Sequence, residues 1–168
     1  MHECKLTNCA AVLITPDLRR AVDWYRDKLG FRAVEHFEFF EPFAAMYRDS
    51  VEIVLVQGKF GSVERNGIRY GAGFDVLFAP ATPDEVDAFH EEIAARGVKV
   101  ILPPAGTPYG VRQTVFEDVD GRWIGVLCID DEAKFHTEPA PERPPGGPGA
   151  ALPSGRRIAS GAKTAPSE

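Results

Sequence analysis

The chain has 168 residues, 44% of them apolar, and a formal net charge of −6, which bounds it to one domain or two small ones with a real core. Its acidic balance and lack of a basic cluster argue against nucleic acid, no apolar run is long enough to span a bilayer, and Met1-His2-Glu3-Cys4 does not read as a signal peptide. Cys4, Cys9 and Cys128 have no paired spacing and read as buried, reduced thiols of a cytoplasmic protein.

In chain order, an apolar strand is expected over 10–14, followed by Thr15-Pro16-Asp17. Threonine reads as an N-cap, proline as the first helical residue, and aspartate as a partner for the helix dipole. Leu18, Val22, Tyr25 and Leu29 recur at helical spacing, and Gly30 ends the helix. A strand over 31–37 and a hairpin closing in Val51–Val56 complete this unit.

The pattern then repeats. A strand over 74–78 leads to Thr82-Pro83-Asp84, where Thr82 and Glu85 have the spacing of a capping box. Val86, Phe89 and Ile93 form the buried stripe, and Gly97 follows Asp84 by the same thirteen residues that separate Gly30 from Asp17. A strand over 98–102 precedes a second hairpin, which turns at Asp118-Val119-Asp120-Gly121 and ends in Trp123–Cys128.

Each half therefore reads βαβββ. The fold expected is α+β, with two such modules (5–58 and 71–130) forming a cupped mixed sheet, helices on its outer face and a cleft on its inner face. These modules make up a domain over 1–131. Residues 132–168 are rich in Pro, Gly, Ala and Ser, lack hydrophobic periodicity over most of their length, and read as a disordered tail.

With "DLRRAVDWYRDKLGF" (Asp17–Phe31) in the first module and "YGVRQTVFEDVDGRWIGV" (Tyr109–Val126) in the second, the chain resembles the vicinal oxygen chelate superfamily over roughly residues 5–130. That superfamily groups glyoxalase I, extradiol dioxygenases, fosfomycin-resistance transferases and bleomycin-resistance proteins. Its enzymes hold a divalent metal on the inner sheet face through His or Glu. The resemblance places those ligand positions at Ala10, near Gly73 and at Gly125, none of which can donate, and leaves Glu52 as a lone carboxylate. His2, His36, His90 and His136 supply no evident replacement, and no nucleophile stands beside a base. No metal, cofactor or catalytic residue is expected.

Loss of the metal ligands marks the bleomycin-resistance branch, whose members are dimers that sequester a drug in hydrophobic grooves. The resemblance implies such a function here: a cytoplasmic homodimer holding a small molecule, in the sharpest form an aromatic cationic antibiotic. The residues expected to line the cleft are Phe37, Phe40, Phe43, Glu52, Phe60, Tyr109, Arg112, Trp123 and Gly125. Aromatic walls suit flat ligands, and a mid-strand glycine gives room for close approach. The alternative is a glyoxalase-type lyase, isomerase or transferase with a metal at Glu52 and other ligands. Lys5-Leu6-Thr7-Asn8 stands where the drug binders' arm often carries proline, which leaves exchange of arms between subunits open.

Overall fold

The structure is a computed structural model that describes residues 9–59, 61 and 63–136. Of the expected tail over 132–168, residues 137–168 lie outside the described residues, as does the arm at Lys5–Asn8, whereas 132–135 form a short helix rather than disordered chain.

The first module comprises β1 (Ala11–Thr15), α1 (Leu18–Leu29), β2 (Arg32–His36), β3 (Phe43–Arg48) and β4 (Val51–Gln57). A short helix, α2 (Asn66–Arg69), follows. The second module comprises β5 (Val76–Phe78), α3 (Pro83–Ala95), β6 (Lys99–Gly106), β7 (Val111–Glu117) and β8 (Trp123–Ile129). Each module builds a four-stranded mixed sheet, in the orders β1-β4-β3-β2 and β5-β8-β7-β6. In both, the first strand runs parallel to the last, because the helix carries the chain across between them. The α+β architecture of two βαβββ modules is as expected.

The two Thr-Pro-Asp copies differ in use. Thr82 caps α3 through the full capping box with Glu85. In the first copy Asp17 is the N-cap, its carboxylate accepting from the Arg20 N–H, while Thr15 is the buried last residue of β1. Thr15 pairs with Gln57 in the sheet, and Gln57 in turn accepts from the Leu18 N–H. The strand thus takes the threonine and leaves the cap to the next polar residue. At the other end Gly30 closes α1 at φ 71°, a left-handed conformation that favours glycine.

One face of α1 (Leu18, Ala21, Val22, Tyr25, Leu29) packs on Ala44, Met46, Ile53 and Leu55 of the first sheet, all buried. The modules join on this helix side. Phe31 meets Phe78 at 6.0 Å between ring centroids, and Phe78 reaches both Phe89 of α3 and Phe116 of β7. Arg48 of β3 makes a two-pronged ion pair with Glu92 of α3 and donates to the Leu29 carbonyl. A depression of about 490 Å³ opens here, lined by Phe31, Phe78, Phe89, Val126 and the Arg48–Glu92 pair.

A second clasp lies at the Asp118–Gly121 turn. Asp118 accepts from the Tyr25 hydroxyl, the Arg122 guanidinium and two backbone N–H groups. Asp120 takes Arg20 and Arg122, and Arg122 also donates to the Ile14 carbonyl. Two aspartates and two arginines thus balance where the hairpin meets α1.

Past β8 the described chain continues into α4 (Glu132–Phe135), capped by Asp131. Its approach is tied down at Gly110, whose carbonyl accepts from the Asp130 and Asp131 N–H groups. A Cβ at Gly110 would stand 2.4 Å from the Asp131 carbonyl oxygen, so only glycine fits there. Cys9 is exposed and Cys128 half-buried, so neither is the fully buried thiol expected. Among the described residues no helix is long and apolar enough to cross a membrane.

Candidate ligand cleft

Strand alternation sends Ile53 and Leu55 to α1 and sends their neighbours to the opposite, inner face of the first sheet. Register aligns His36, Phe43 and Val56 in one row, Val34, Ala45 and Val54 in the next, and Arg32, Tyr47 and Glu52 in the third. Val12 and Ile14 of β1 extend these rows. Val12 is 62% exposed, Ile14 52% and Val34 38%. These neighbouring exposed side chains form an open apolar patch on the inner face.

Polar and aromatic groups stand at opposite ends of the floor. At one end Tyr47 donates to Glu52 at 3.1 Å, and the Arg32 guanidinium lies 5.4 Å from the Tyr47 ring. The hydrogen bond to Glu52 raises the Tyr47 phenol above its ordinary range. At the other end His36 lies 4.6 Å from Phe43, and Phe39 stacks on Phe43 at 6.2 Å. Tyr47 and Arg32 are not among the expected cleft residues. Cross-strand register, which period-two reading cannot supply, brings Tyr47 and Arg32 level with Glu52.

The remaining expected residues divide. Phe43 and Glu52 share the inner face with this apolar floor. Phe37 turns the other way and packs against the core, with the Arg19 guanidinium of α1 4.3 Å above its ring. Phe40 is 97% exposed in the β2–β3 turn, and Tyr109 is 54% exposed before β7. Phe60 lies outside the described residues. Arg112 belongs to the helix side: it pairs with Cys128, while Trp123 and Gly125 pair with Glu117 and Val115 on the opposite face. Its guanidinium holds Asp87 of α3 at 3.0 and 2.9 Å. Sequence alone could not provide that partner.

On the second sheet, Trp123 and Gly125 share the face turned away from α3. The room above Gly125 is taken by the chain itself. A Cβ there would lie 2.9 Å from the Phe74 ring and 3.1 Å from Leu77. Phe74 reaches this position because β5 begins at Val76 rather than at Phe74, which leaves residues 63–75 to fold over the sheet. Asp75 fastens the segment, accepting from the backbone N–H groups of Asn66 and Trp123. The Arg65 guanidinium then lies 4.0 Å from the Trp123 ring centroid.

The residues do not fit the superfamily's divalent metal. Among the described residues no three His, Cys, Asp or Glu side chains converge as a metal would need. Ala10 and Gly125 carry no donor, Phe74 fills the space at Gly125, and Glu52 is engaged by Tyr47.

Fold and site together define a two-module βαβββ protein whose first sheet has an open, partly apolar inner face, while its own chain covers that of the second at Gly125 and Trp123. Residues 7–126 match the model of the Glyoxalase/Bleomycin resistance protein/Dioxygenase superfamily, and the chain belongs to that superfamily. No curated protein matches. Among solved structures, the chain is similar to a glyoxalase/bleomycin resistance protein/dioxygenase from Nocardioides, with 22% identity, 88% of this chain and 93% of that one covered, and a TM-score of 0.57. It is also similar to TioX from Micromonospora sp. ML1 (21% identity, 73% and 98% covered, TM-score 0.54). A third is the fosfomycin resistance protein FosX from Listeria monocytogenes (18% identity, 78% and 96% covered, TM-score 0.58). At these identities the likeness is one of fold.

Proposed function

We propose that the protein binds a flat, largely apolar small molecule on its inner sheet faces and sequesters it unchanged, without a metal, in the manner of bleomycin-resistance proteins. The observation that carries this reading is the pairing of an exposed apolar floor (Val12, Ile14, Val34) with metal-ligand positions that hold Ala10 and Gly125. Apolar floors with a few polar groups at the rim suit ligands held by burial and orientation. An antibiotic of this shape is the ligand class the superfamily supports.

The same surface argues for a homodimer. β1 and β5 are sheet edges, and Val12, Ile14 and Leu77 on them are at least half exposed. A second copy would cover those edges, which a lone chain leaves open to aggregation. The reading places the protein in the cytoplasm, where the thiols it carries stay reduced.

The test uses the full chain after mild purification. Metal analysis is expected to find zinc, manganese, iron and nickel all below stoichiometry, with no change in Tm on adding a chelator. A thermal-shift screen of aromatic antibiotics is expected to yield a ligand whose saturation at a hundred times its Kd adds about 2.7 kcal/mol. One tightly held ion per chain would overturn the reading in favour of a metal-dependent lyase, isomerase or transferase.

A further inference from the structure

Trp123 is 7% exposed, yet its indole N–H has no acceptor. A buried donor without a partner is costly, so such groups are rare and ask for an explanation. The other orphan among the described residues is Nη1 of Arg65. The two are not scattered, since the Arg65 guanidinium lies over the Trp123 ring. Both are obligate donors, because neither indole nor guanidinium can accept a hydrogen bond. No carboxylate answers them, the exposed Glu64 beside Arg65 included. Asp75 spends both oxygens on the backbone of Asn66 and Trp123, and Glu117 pairs with Lys99.

We infer that Arg65 and Trp123 form an oxyanion-binding corner at the edge of the second sheet's inner face, and that the ligand is a flat aromatic bearing a carboxylate. The inference rests on the cleft reading above and specifies its ligand. A carboxylate offers acceptor oxygens to two donors at once, and a charge-assisted bond from guanidinium is roughly twice as strong as a neutral one. The net charge of −6 would favour a cation. That figure averages the whole chain; at this corner the Asp75 carboxylate is already engaged by two backbone N–H groups, and the unpartnered groups are one guanidinium nitrogen and one indole N–H. Arg65 sits on the segment that also carries Phe74 over Gly125, so the same stretch of chain supplies the corner and an apolar wall beside it.

Isothermal titration of the full chain with 2-naphthoate and with 2-naphthylmethylammonium tests this. The two probes share a ring system and differ in the sign of their charge. The carboxylate is expected to bind about tenfold more tightly, the worth of one charge-assisted hydrogen bond. Arg65→Gln should bring the two Kd values together. Trp123→Phe, which keeps a ring and removes the N–H, should weaken naphthoate and leave the ammonium probe unchanged. If the ammonium probe binds the parent as tightly as naphthoate or more tightly, the corner is refuted while the aromatic cleft stands. If neither probe binds, the cleft reading falls and takes the corner with it.

Discussion

Tyr25 and Asp118, 93 residues apart in sequence, share a 2.9 Å hydrogen bond that fastens α1 of the first module to the hairpin turn of the second. The Tyr25 side chain is fully buried, and Asp118 also holds Arg122 at 3.0 Å. The turn is thus both a local Asx-type structure and one anchor of the two-module unit.

Removing the phenol by Tyr25→Phe is expected to cost about 1.5–3 kcal/mol, the range for hydrogen bonds to charged groups. Asp118→Ala should cost more, about 3–5 kcal/mol, because it strips a carboxylate from a buried arginine. Urea unfolding of both variants measures this.

The same contact predicts a pH dependence. Burial, and next the Asp118 carboxylate, push the Tyr25 phenol well above its ordinary value of 10.0. The folded state therefore holds this proton more tightly than the unfolded chain does. Its contribution is fully present below pH 10 and is lost as the pH rises through the native pKa. Stability should fall on going above pH 10, and Tyr25→Phe should remove that part of the slope. Parallel pH titrations of Tm for parent and variant check the sign.

Gly125 leads to a prediction about packing. With the Phe74 ring 2.9 Å from where a Cβ would stand, Gly125→Leu must displace that ring rather than fill open space. The expected loss is about 1–3 kcal/mol, as for other overpacked sites. Combining it with Phe74→Ala should recover part of the loss, and a double-mutant cycle reads the coupling.

Arg112 turns towards α3 and is held there by Asp87, which as its largest effect raises the guanidinium pKa. Arg112→Gln should leave the affinity for any cleft ligand unchanged within error. A loss of about tenfold, the worth of a charge-assisted contact, would place Arg112 at the ligand after all.

If a second copy covers the open strands, charges placed on β1 should prevent it. Val12→Lys together with Ile14→Lys is expected to shift the protein from dimer to monomer in analytical ultracentrifugation with its circular dichroism intact. Both positions are more than half exposed in the single chain, so the substitutions should not disturb its core. A parent that sediments as a monomer would count against the dimer.

The sequence by itself determined the duplicated βαβββ order, the Thr82 capping box, the Gly30 stop and the Asp118–Gly121 hairpin. All are local: a few neighbouring residues contain the cap, the turn or the period, and their physics does not wait for a partner. Strand period alone also puts Glu52, Val54 and Val56 on one face, and the register agrees. Only the tertiary structure decided what meets those faces. Thr15 looked like Thr82, but pairing with β4 claimed it for the strand and left the cap to Asp17. Arg112 sits in a motif that looked like a cleft wall, and Asp87 on α3 draws it to the other side. Gly125 has the space a mid-strand glycine implies, yet Phe74 fills it, and Arg65 covers Trp123 from a segment with no periodic pattern of its own. A pairing between distant side chains is fixed by register, by helix position and by where a strand happens to start. None of these is written in the residues on either side.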